Sequence, residues 1–193
     1  MKCPKAVEID GKIYDINTDF RVAIECSKIA EDTSIGDTER ALALIYKLFG
    51  EKGLDDYKNH EKLMEYALKY LSCGKEVKKD DTEPDMDFVE DMDYIEASFM
   101  SDYNIDLERE EMDWWKFNKL INGLSNSDMG NCCILNRIRN LRNYDVRDIK
   151  DKKERDKIIK AKKQFELKKN KKERYLTEEQ EKSMNELNRL LGL

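Results

Sequence analysis

The chain has 193 residues, of which 39% are hydrophobic and 40% are charged, and its formal net charge is −6. This length fits one domain, or one domain with an appendage, and the apolar residues suffice for a core in only part of the chain. The sequence has no run of about 18 apolar residues, which excludes a transmembrane helix. It has no apolar leader at its start, so we expect an intracellular protein.

The charges are strongly segregated along the chain. Residues 1–130 carry 17 Lys and Arg against 31 Asp and Glu, a net charge of −14. Residues 131–175 carry 17 against 7, a net charge of +10, and residues 176–193 carry −2. A basic segment of this kind can contact nucleic acid, the acidic part of its own chain or the acidic part of a neighbouring copy.

The residue types that carry common enzyme chemistry are scarce. His60 is the single histidine and is expected on the surface, so a histidine-based triad and a His-rich metal site are excluded. The acidic run at 80–87 lacks the glycine and the ligand spacing of a calcium loop, and the five cysteines are expected to be free thiols. With neither a Gly-rich phosphate loop nor a nucleophile–histidine arrangement, the sequence predicts no enzyme, no cofactor and no metal.

In chain order, the first predicted element is a β-hairpin. Residues 6–16 read AVEIDGKIYDI, in which Asp10 and Gly11 separate two stretches of alternating apolar and polar residues. Asp-Gly between such stretches is typical of a tight hairpin turn, because glycine accepts a positive φ.

Three amphipathic helices are predicted next, over about residues 19–31, 38–49 and 59–72. Asp19 precedes the first helix as a capping residue. Gly50 follows the second helix at the position where a left-handed residue ends a helix.

A pair of aromatic helices follows a charged, proline-containing loop at about 75–85, which we expect to be exposed and mobile. The first helix is predicted over about 88–103, and the second begins after an N-cap at Asp106. Their apolar stripes at helical spacing make this pair the expected centre of the core. The aromatic residues of these stripes are Phe88, Phe99, Tyr103, Trp114 and Phe117.

Trp115 lies about 100° around the second aromatic helix from Trp114, outside the apolar stripe. Two interpretations stay open for this side chain. It packs on the hairpin or on a neighbouring helix, or it is an anchor that contacts a partner.

The last predicted elements form a basic arm. A helix to about residue 143 is followed by a charge-dense helical run over 148–174, whose apolar residues are too sparse for a buried helix. Its basic residues include Arg137, Arg139, Arg142, Lys160 and Lys163. Because acidic residues are interleaved and aromatic residues lie far apart, a solvated arm is favoured over nucleic-acid binding.

A short amphipathic helix is predicted beyond the arm. A capping box at 177–180 begins it, and Leu187, Leu190 and Leu191 lie on its apolar side. We interpret it as a docking element for a partner or for a second copy of the chain.

Together these elements predict a mainly α protein with about seven or eight helices and a short N-terminal β-hairpin. We expect the hairpin and a helical bundle to form a core domain over residues 1–145. Residues 146–193 are expected to form an extended, charged helical arm.

Short motifs follow one another in a fixed order along the chain. They are IDG at 9–11, INTDFR at 16–21, LFG at 48–50, CGK at 73–75, DYIEASF at 93–99, YNIDL at 103–107, WWKF at 114–117, NGL at 122–124 and DIKDKKER at 148–155. In this order and spacing they resemble a phage family known by the fifteenth gene product of a Listeria siphophage. That family occurs in long-tailed phages and prophages of low-GC Gram-positive bacteria. The resemblance extends to about residue 163 and leaves the final predicted helix unaccounted for.

The resemblance implies a tail morphogenesis protein in the cytoplasm of a bacterial host. Genes of the family lie between those for the major tail protein and the tape measure protein, the position of tail assembly chaperones. The implied partners are the tape measure protein and the major tail protein, together with further copies of this chain. No catalytic residues come with the resemblance. The alternative is a nucleic-acid-binding or regulatory phage protein that uses residues 137–174.

The candidate partner-binding residues are those whose apolar side chains the predicted core leaves free. They are Trp115, Leu187, Leu190 and Leu191.

Overall fold

The computed structural model describes residues 2–76, 83–126, 132–147 and 149–168. Within these ranges the chain forms a two-stranded antiparallel sheet and seven helices, which confirms the predicted mainly α fold with an N-terminal hairpin. The elements are β1 (Ala6–Ile9), β2 (Lys12–Asp15), α1 (Phe20–Glu31), α2 (Asp37–Leu54), α3 (His60–Leu71), α4 (Met92–Tyr103), α5 (Trp114–Asn122), α6 (Ile134–Asn143) and α7 (Lys152–Gln164). The predicted helix with Leu187, Leu190 and Leu191 lies outside the described residues.

The hairpin turns at Asp10 and Gly11, as the sequence predicts. Both residues have positive φ angles, 50° and 75°, which is the backbone of a type I′ turn. Pairing of Val7 with Tyr14 places the Tyr14 ring on the buried face, where its hydroxyl donates to the Asp56 carboxylate at 2.6 Å. This contact fixes the hairpin to the connection between α2 and α3.

α2 is interrupted at Gly50, where the sequence predicts that the helix ends, and its assigned range includes a further turn to Leu54. Gly50 does have a positive φ of 66°, but the chain resumes one more helical turn after it. Gly53 in that turn packs so closely on Phe49 that an added Cβ would lie 2.6 Å from the Phe49 Cβ. This close approach holds the extra turn against the end of the main helix.

The first aromatic helix begins at Met92, so its predicted start at Phe88 is wrong. The Asp87 carboxylate accepts the backbone N–H groups of Val89 and Glu90 at 2.8 and 3.0 Å, which favours a turn over a continuous helix. The Phe88 ring in this turn still packs on the ring of Trp114, with a centroid distance of 5.6 Å.

The predicted N-cap of the second aromatic helix, Asp106, is also wrong. Asp106 accepts the Glu108 N–H and stabilises a separate turn. The cap of α5 is Asp113, whose carboxylate accepts the Lys116 N–H at 2.9 Å. The Trp114 N–H donates to the Thr18 carbonyl, so a backbone pairing with a distant segment fixes where α5 begins.

The core is centred on a stack of phenylalanine rings from three helices. Phe117 of α5 stacks on Phe20 of α1 at 4.5 Å and on Phe99 of α4 at 5.2 Å between centroids. Trp114 is buried beside this stack, and the half-buried Tyr103 packs on Phe99 and donates its hydroxyl to the Leu120 carbonyl. The expected centre of the core is therefore where these helices meet.

α6 and α7 lie at the end of the described chain and differ in burial. α6 packs on α4 through Leu135 and Ile138, which are buried. α7 contacts α6 but contributes no buried side chain. Residues 169–193 of the predicted arm lie outside the described residues, and the predicted domain boundary at 145 stays a prediction.

Candidate functional site

The end of α3 is closed by the two tryptophans that the sequence singles out. Trp114 donates its indole N–H to the Leu71 carbonyl at 2.8 Å, and Trp115 donates to the Tyr70 carbonyl at 3.0 Å. The last carbonyls of a helix have no partner within the helix. The two indoles donate to two of them, and the Tyr70 carbonyl also accepts the Cys73 N–H at 2.9 Å. The pair of tryptophans therefore joins α5 to the end of α3.

Trp115 is buried in this arrangement, with 8% of its surface exposed. Its ring lies 6.2 Å from the ring of Tyr70, between centroids, and a Cβ added at Gly74 would lie 3.7 Å from it. The position favours the first of the two interpretations of this residue, packing on a neighbouring helix. A role of Trp115 in partner binding stays a prediction.

Two surface cavities share the remaining exposed edge of Trp115. One, of about 350 Å³, lies between the N-terminal segment and α5, and the other, of about 510 Å³, lies between the end of α3 and α5. Trp115 and Lys119 line both of them, and we call the two together the Trp115 groove. The wall of the larger cavity is mostly apolar.

The Trp115 groove is basic, although the part of the chain that builds it is acidic. The lysines that line it are Lys2, Lys5, Lys75, Lys116 and Lys119. Among the described lining residues Asp113 is the single carboxylate, and it also caps α5. Residues 1–130 as a whole carry a net charge of −14, so the sign of the charge is locally reversed here.

The thiols at the groove are not activated for chemistry. Burial raises the pKa of both Cys3 and Cys73 above the ordinary thiol value, so both stay protonated at neutral pH. The Cys3 thiol lies 3.5 Å from the Tyr70 hydroxyl, whose pKa is also raised by burial. The groove can hold a ligand by apolar contact and by positive charge. Its described residues include no nucleophile with a lowered pKa.

The five predicted residues of the basic arm separate into two groups. Arg142 forms a two-pronged ion pair with the buried Asp91. Both N–O distances are 2.7 Å, and the two side chains are 9% and 1% exposed. Arg139 pairs with Asp85 at 3.2 Å. The side chains that lie exposed are those of Arg137, Lys160 and Lys163.

The Arg142–Asp91 pair also holds the segment that comes after α7. Arg142 donates from Nε to the Phe165 carbonyl at 2.6 Å, and the Phe165 ring lies edge-on to Tyr94. Leu167 is buried, with 1% of its surface exposed. α7 is therefore anchored through the residues after its end, while its lysine-rich surface faces solvent.

Within the described ranges, His60 and the acidic residues form neither a catalytic site nor a metal site. The His60 ring is half-buried, with Nε2 2.7 Å from the Leu54 carbonyl oxygen, so it is more enclosed than the surface position expected. In the part of the chain that the structure describes, no group of three or more His, Cys, Asp or Glu side chains could hold a metal ion. Two acidic residues of the predicted solvated run, Asp80 and Asp81, lie outside that part. None of the described helices combines the length and the apolar character needed to cross a membrane.

A family model described as Bacteriophage Gp15 protein matches residues 2–167. The chain belongs to this phage family. The match confirms the resemblance seen in the sequence motifs and supports a phage-related function. No curated protein and no solved structure matches the chain.

The family match ends at Leu167, the last buried residue of the described chain. The family unit therefore includes α7 together with the segment that anchors it. The predicted C-terminal helix lies beyond the match.

Several of the motifs that indicate the Gp15 family contact one another or connect helices that pack together. Arg21 of the INTDFR motif donates to the Leu107 carbonyl of the YNIDL motif at 2.5 Å. The WWKF motif begins with the two tryptophans that donate to the last carbonyls of α3, and Gly74 of the CGK motif lines the same cavity as Trp115. These contacts give the motifs a structural role.

Sequence reasoning missed the importance of Arg142 and Asp91. They are 51 residues apart, and each lies in a run of like charges that is typical of a solvated surface. Leu167, an apolar residue in a charge-dense segment, indicates that this segment packs on the body. The sequence does not identify the residues on which Leu167 packs.

Proposed function

We propose that this Gp15-family protein is a non-enzymatic tail assembly chaperone that binds the tape measure protein of its phage. The observation that carries the proposal is the family match over residues 2–167, because the family resemblance implies tail morphogenesis. A tape measure protein is a very long helical chain with exposed apolar stripes. The chaperone would cover these stripes until tail tube subunits assemble on them.

The apolar surface offered to such a partner is best supplied by the C-terminal segment. Large exposed apolar side chains of the described body, such as Tyr57, Leu68 and Met100, lie on different elements, and single exposed residues of this kind are ordinary. Leu187, Leu190 and Leu191 form one stripe in the sequence, and such a stripe can pair with the stripe of another helix.

The charge distribution supports several copies along one tape measure protein. α7 carries seven basic residues among its 13 and buries none of them, so its charge remains at the surface. Residues 1–130 carry the opposite charge, −14. Head-to-tail contact between copies would bring these two surfaces together, and it would weaken as salt screens the charges.

The test is co-expression with the tape measure protein of the same phage. The expected result is that the tape measure protein becomes soluble and elutes together with this chain. Leu187→Asp combined with Leu190→Asp should remove both effects, because a charge in the stripe prevents its burial. Asn185→Asp, on the opposite side of the predicted helix, adds a charge and should retain them. A tape measure protein that stays insoluble with the unmodified chain would contradict the proposal.

Nucleic-acid binding is the second candidate, and the exposed lysines of α7 are the observation that favours it. Arg139 and Arg142 are engaged with carboxylates, which leaves a smaller basic surface than the sequence suggests. A gel shift on DNA and RNA at several salt concentrations tests it. We expect no shift at physiological salt. A shift that disappears in Lys157→Glu combined with Lys160→Glu would replace the chaperone proposal.

A further inference from the structure

We propose that residues 177–191 bind in the Trp115 groove of their own chain. The inference concerns how the C-terminal segment is held when no other protein is bound. It goes beyond the proposed function and does not depend on it, since it rests on the groove and on the chain beyond residue 168.

The groove has the two properties that an acidic amphipathic helix needs. Its floor is apolar, formed by the edge of Trp115 together with Cys73 and Gly74. Its rim is basic, with exposed lysines on both sides of the tryptophan, among them Lys75 and Lys116. An apolar floor with a charged rim binds a helix that carries the opposite charge beside an apolar stripe.

The C-terminal segment has the complementary chemistry. Residues 176–193 carry a net charge of −2, and Glu178, Glu179 and Glu181 lie at the start of the predicted helix. The leucine stripe at 187, 190 and 191 comes within the next turns. The glutamates can therefore meet the lysine rim while the leucines cover the apolar floor.

The connecting chain runs from Lys168 to the predicted helix. Eight residues separate Lys168 from the predicted helix, and eight extended residues span up to about 28 Å. The Lys168 N–H donates to the Glu90 carboxylate at 3.0 Å. Two residues before Glu90, the Phe88 ring packs on Trp114, the neighbour of Trp115 in the sequence. The described chain therefore ends a few contacts away from the groove.

Binding in this position would make the C-terminal stripe unavailable until it is displaced. The leucines would be covered in the free protein, which protects a stripe that otherwise promotes aggregation. A partner that binds the stripe has to compete with the groove. The Trp115 groove would then act on a partner indirectly, by releasing the segment.

Zero-length carbodiimide cross-linking of the full chain tests the inference, because this reagent joins an amine to a carboxylate only when they are in contact. We expect links from Lys75 or Lys116 to the glutamates at 178–181, in material that migrates as a monomer. Lys58, an exposed lysine between α2 and α3, is the control and should not link. Absence of the groove links, equal linking of Lys58, or links found only in cross-linked dimers would each overturn the inference.

Hydrogen–deuterium exchange with variants provides an independent readout. Leu187→Asp should raise the exchange rates of peptides that cover Cys73–Lys75 and the start of α5 several-fold, because the groove is uncovered. Asn185→Asp should leave them unchanged. Both positions lie outside the residues that the structure describes, so neither substitution changes a described core residue. Equal exchange in the unmodified chain and in Leu187→Asp would overturn the inference.

Discussion

α3 and α7 have nearly the same length, 12 and 13 residues, and they are held in the molecule in opposite ways. α3 buries Leu63, Ala67 and Tyr70 along one face, and the indoles of Trp114 and Trp115 close its end. α7 buries no side chain. Burial of apolar surface stabilises α3, whereas α7 depends on local signals and on the residues after its end.

The local signals of α7 are clear in the sequence. The Asp151 carboxylate accepts the N–H groups of Lys153 and Glu154 at 2.7 and 3.0 Å, which caps its first turn. The anchoring comes from outside the helix, through the Phe165 carbonyl on Arg142 and through the buried Leu167. The comparison shows that a charged helix can keep a fixed place while most of its basic side chains stay exposed.

The largest loss of folding stability is expected from a substitution in the core. Phe117→Ala removes a ring that stacks on two others, and it should lower the free energy of unfolding by about 3–5 kcal/mol. Ile158→Ala, at a half-buried position of α7, should lower it by less than about 1 kcal/mol. Urea unfolding followed by circular dichroism measures both. Similar losses for the two substitutions would remove the contrast between the packed core and α7.

The next largest loss of folding stability is expected at the Arg142–Asp91 ion pair, which connects the core to the segment after α7. Arg142→Ala leaves the buried Asp91 carboxylate without its partner, which typically costs about 3 kcal/mol or more of stability. It also frees the Phe165 carbonyl, so limited proteolysis should cut near residues 165–168 faster than in the unmodified protein. The matched control replaces both charges, Arg142→Met with Asp91→Leu. It should recover part of the stability, because no buried charge is left unpaired, although the Phe165 carbonyl stays free. A loss of less than about 1 kcal/mol in Arg142→Ala would show that the pair does not anchor the arm.

The smallest expected effect is on the stability of the fold in acid, where the carboxylates of Asp56 and Asp145 can be compared. The pKa of Asp56 is lowered to about 2, first by the hydrogen bond from Lys12 and then by that from Tyr14, and the pKa of Asp145 is lowered to about 2 by Arg147. Because these folded pKa values lie below the ordinary one, the stabilisation is present above pH 4 and is lost as pH falls towards 2.

The two carboxylates should differ in how much of this loss they cause. Asp56 joins the hairpin to the α2–α3 connection, so its contacts exist only in the folded chain. Asp145 pairs with a residue two positions away, and that pair can persist after unfolding. Unfolding free energies measured between pH 4 and pH 2 should therefore depend less on pH in Asp56→Asn, and Asp145→Asn should resemble the unmodified protein. Identical pH profiles for all three proteins would contradict this assignment.

The elements that the sequence predicts correctly are those encoded by local signals. The Asp10-Gly11 turn, the Asp19 cap and the apolar stripe of α3 each depend on neighbouring residues, and each is found at the expected place. The start of α5 could not be predicted in this way. It is fixed by a backbone contact between Thr18 and Trp114, which sequence periodicity does not report.

The candidate site was predictable only in part, because it also depends on contacts between distant segments of the chain. The sequence places Trp115 off the apolar stripe but cannot say that the end of α3 receives it. The lysines of the groove come from the N-terminal segment, the end of α3 and α5, so the net charge of the surrounding sequence hides them. Arg142 looks like its exposed neighbours until Asp91 is placed beside it.

We propose that this phage protein presents the basic α7 to further copies of itself along a tape measure protein. The most direct measurement is the mass of the co-expressed complex by light scattering, at low and at high salt. We expect several copies per tape measure protein at low salt and fewer at high salt. Lys157→Glu combined with Lys160→Glu should reduce the number of copies, and Lys58→Glu combined with Lys28→Glu should not. A complex with one copy at every salt concentration, or no complex, would contradict the claim.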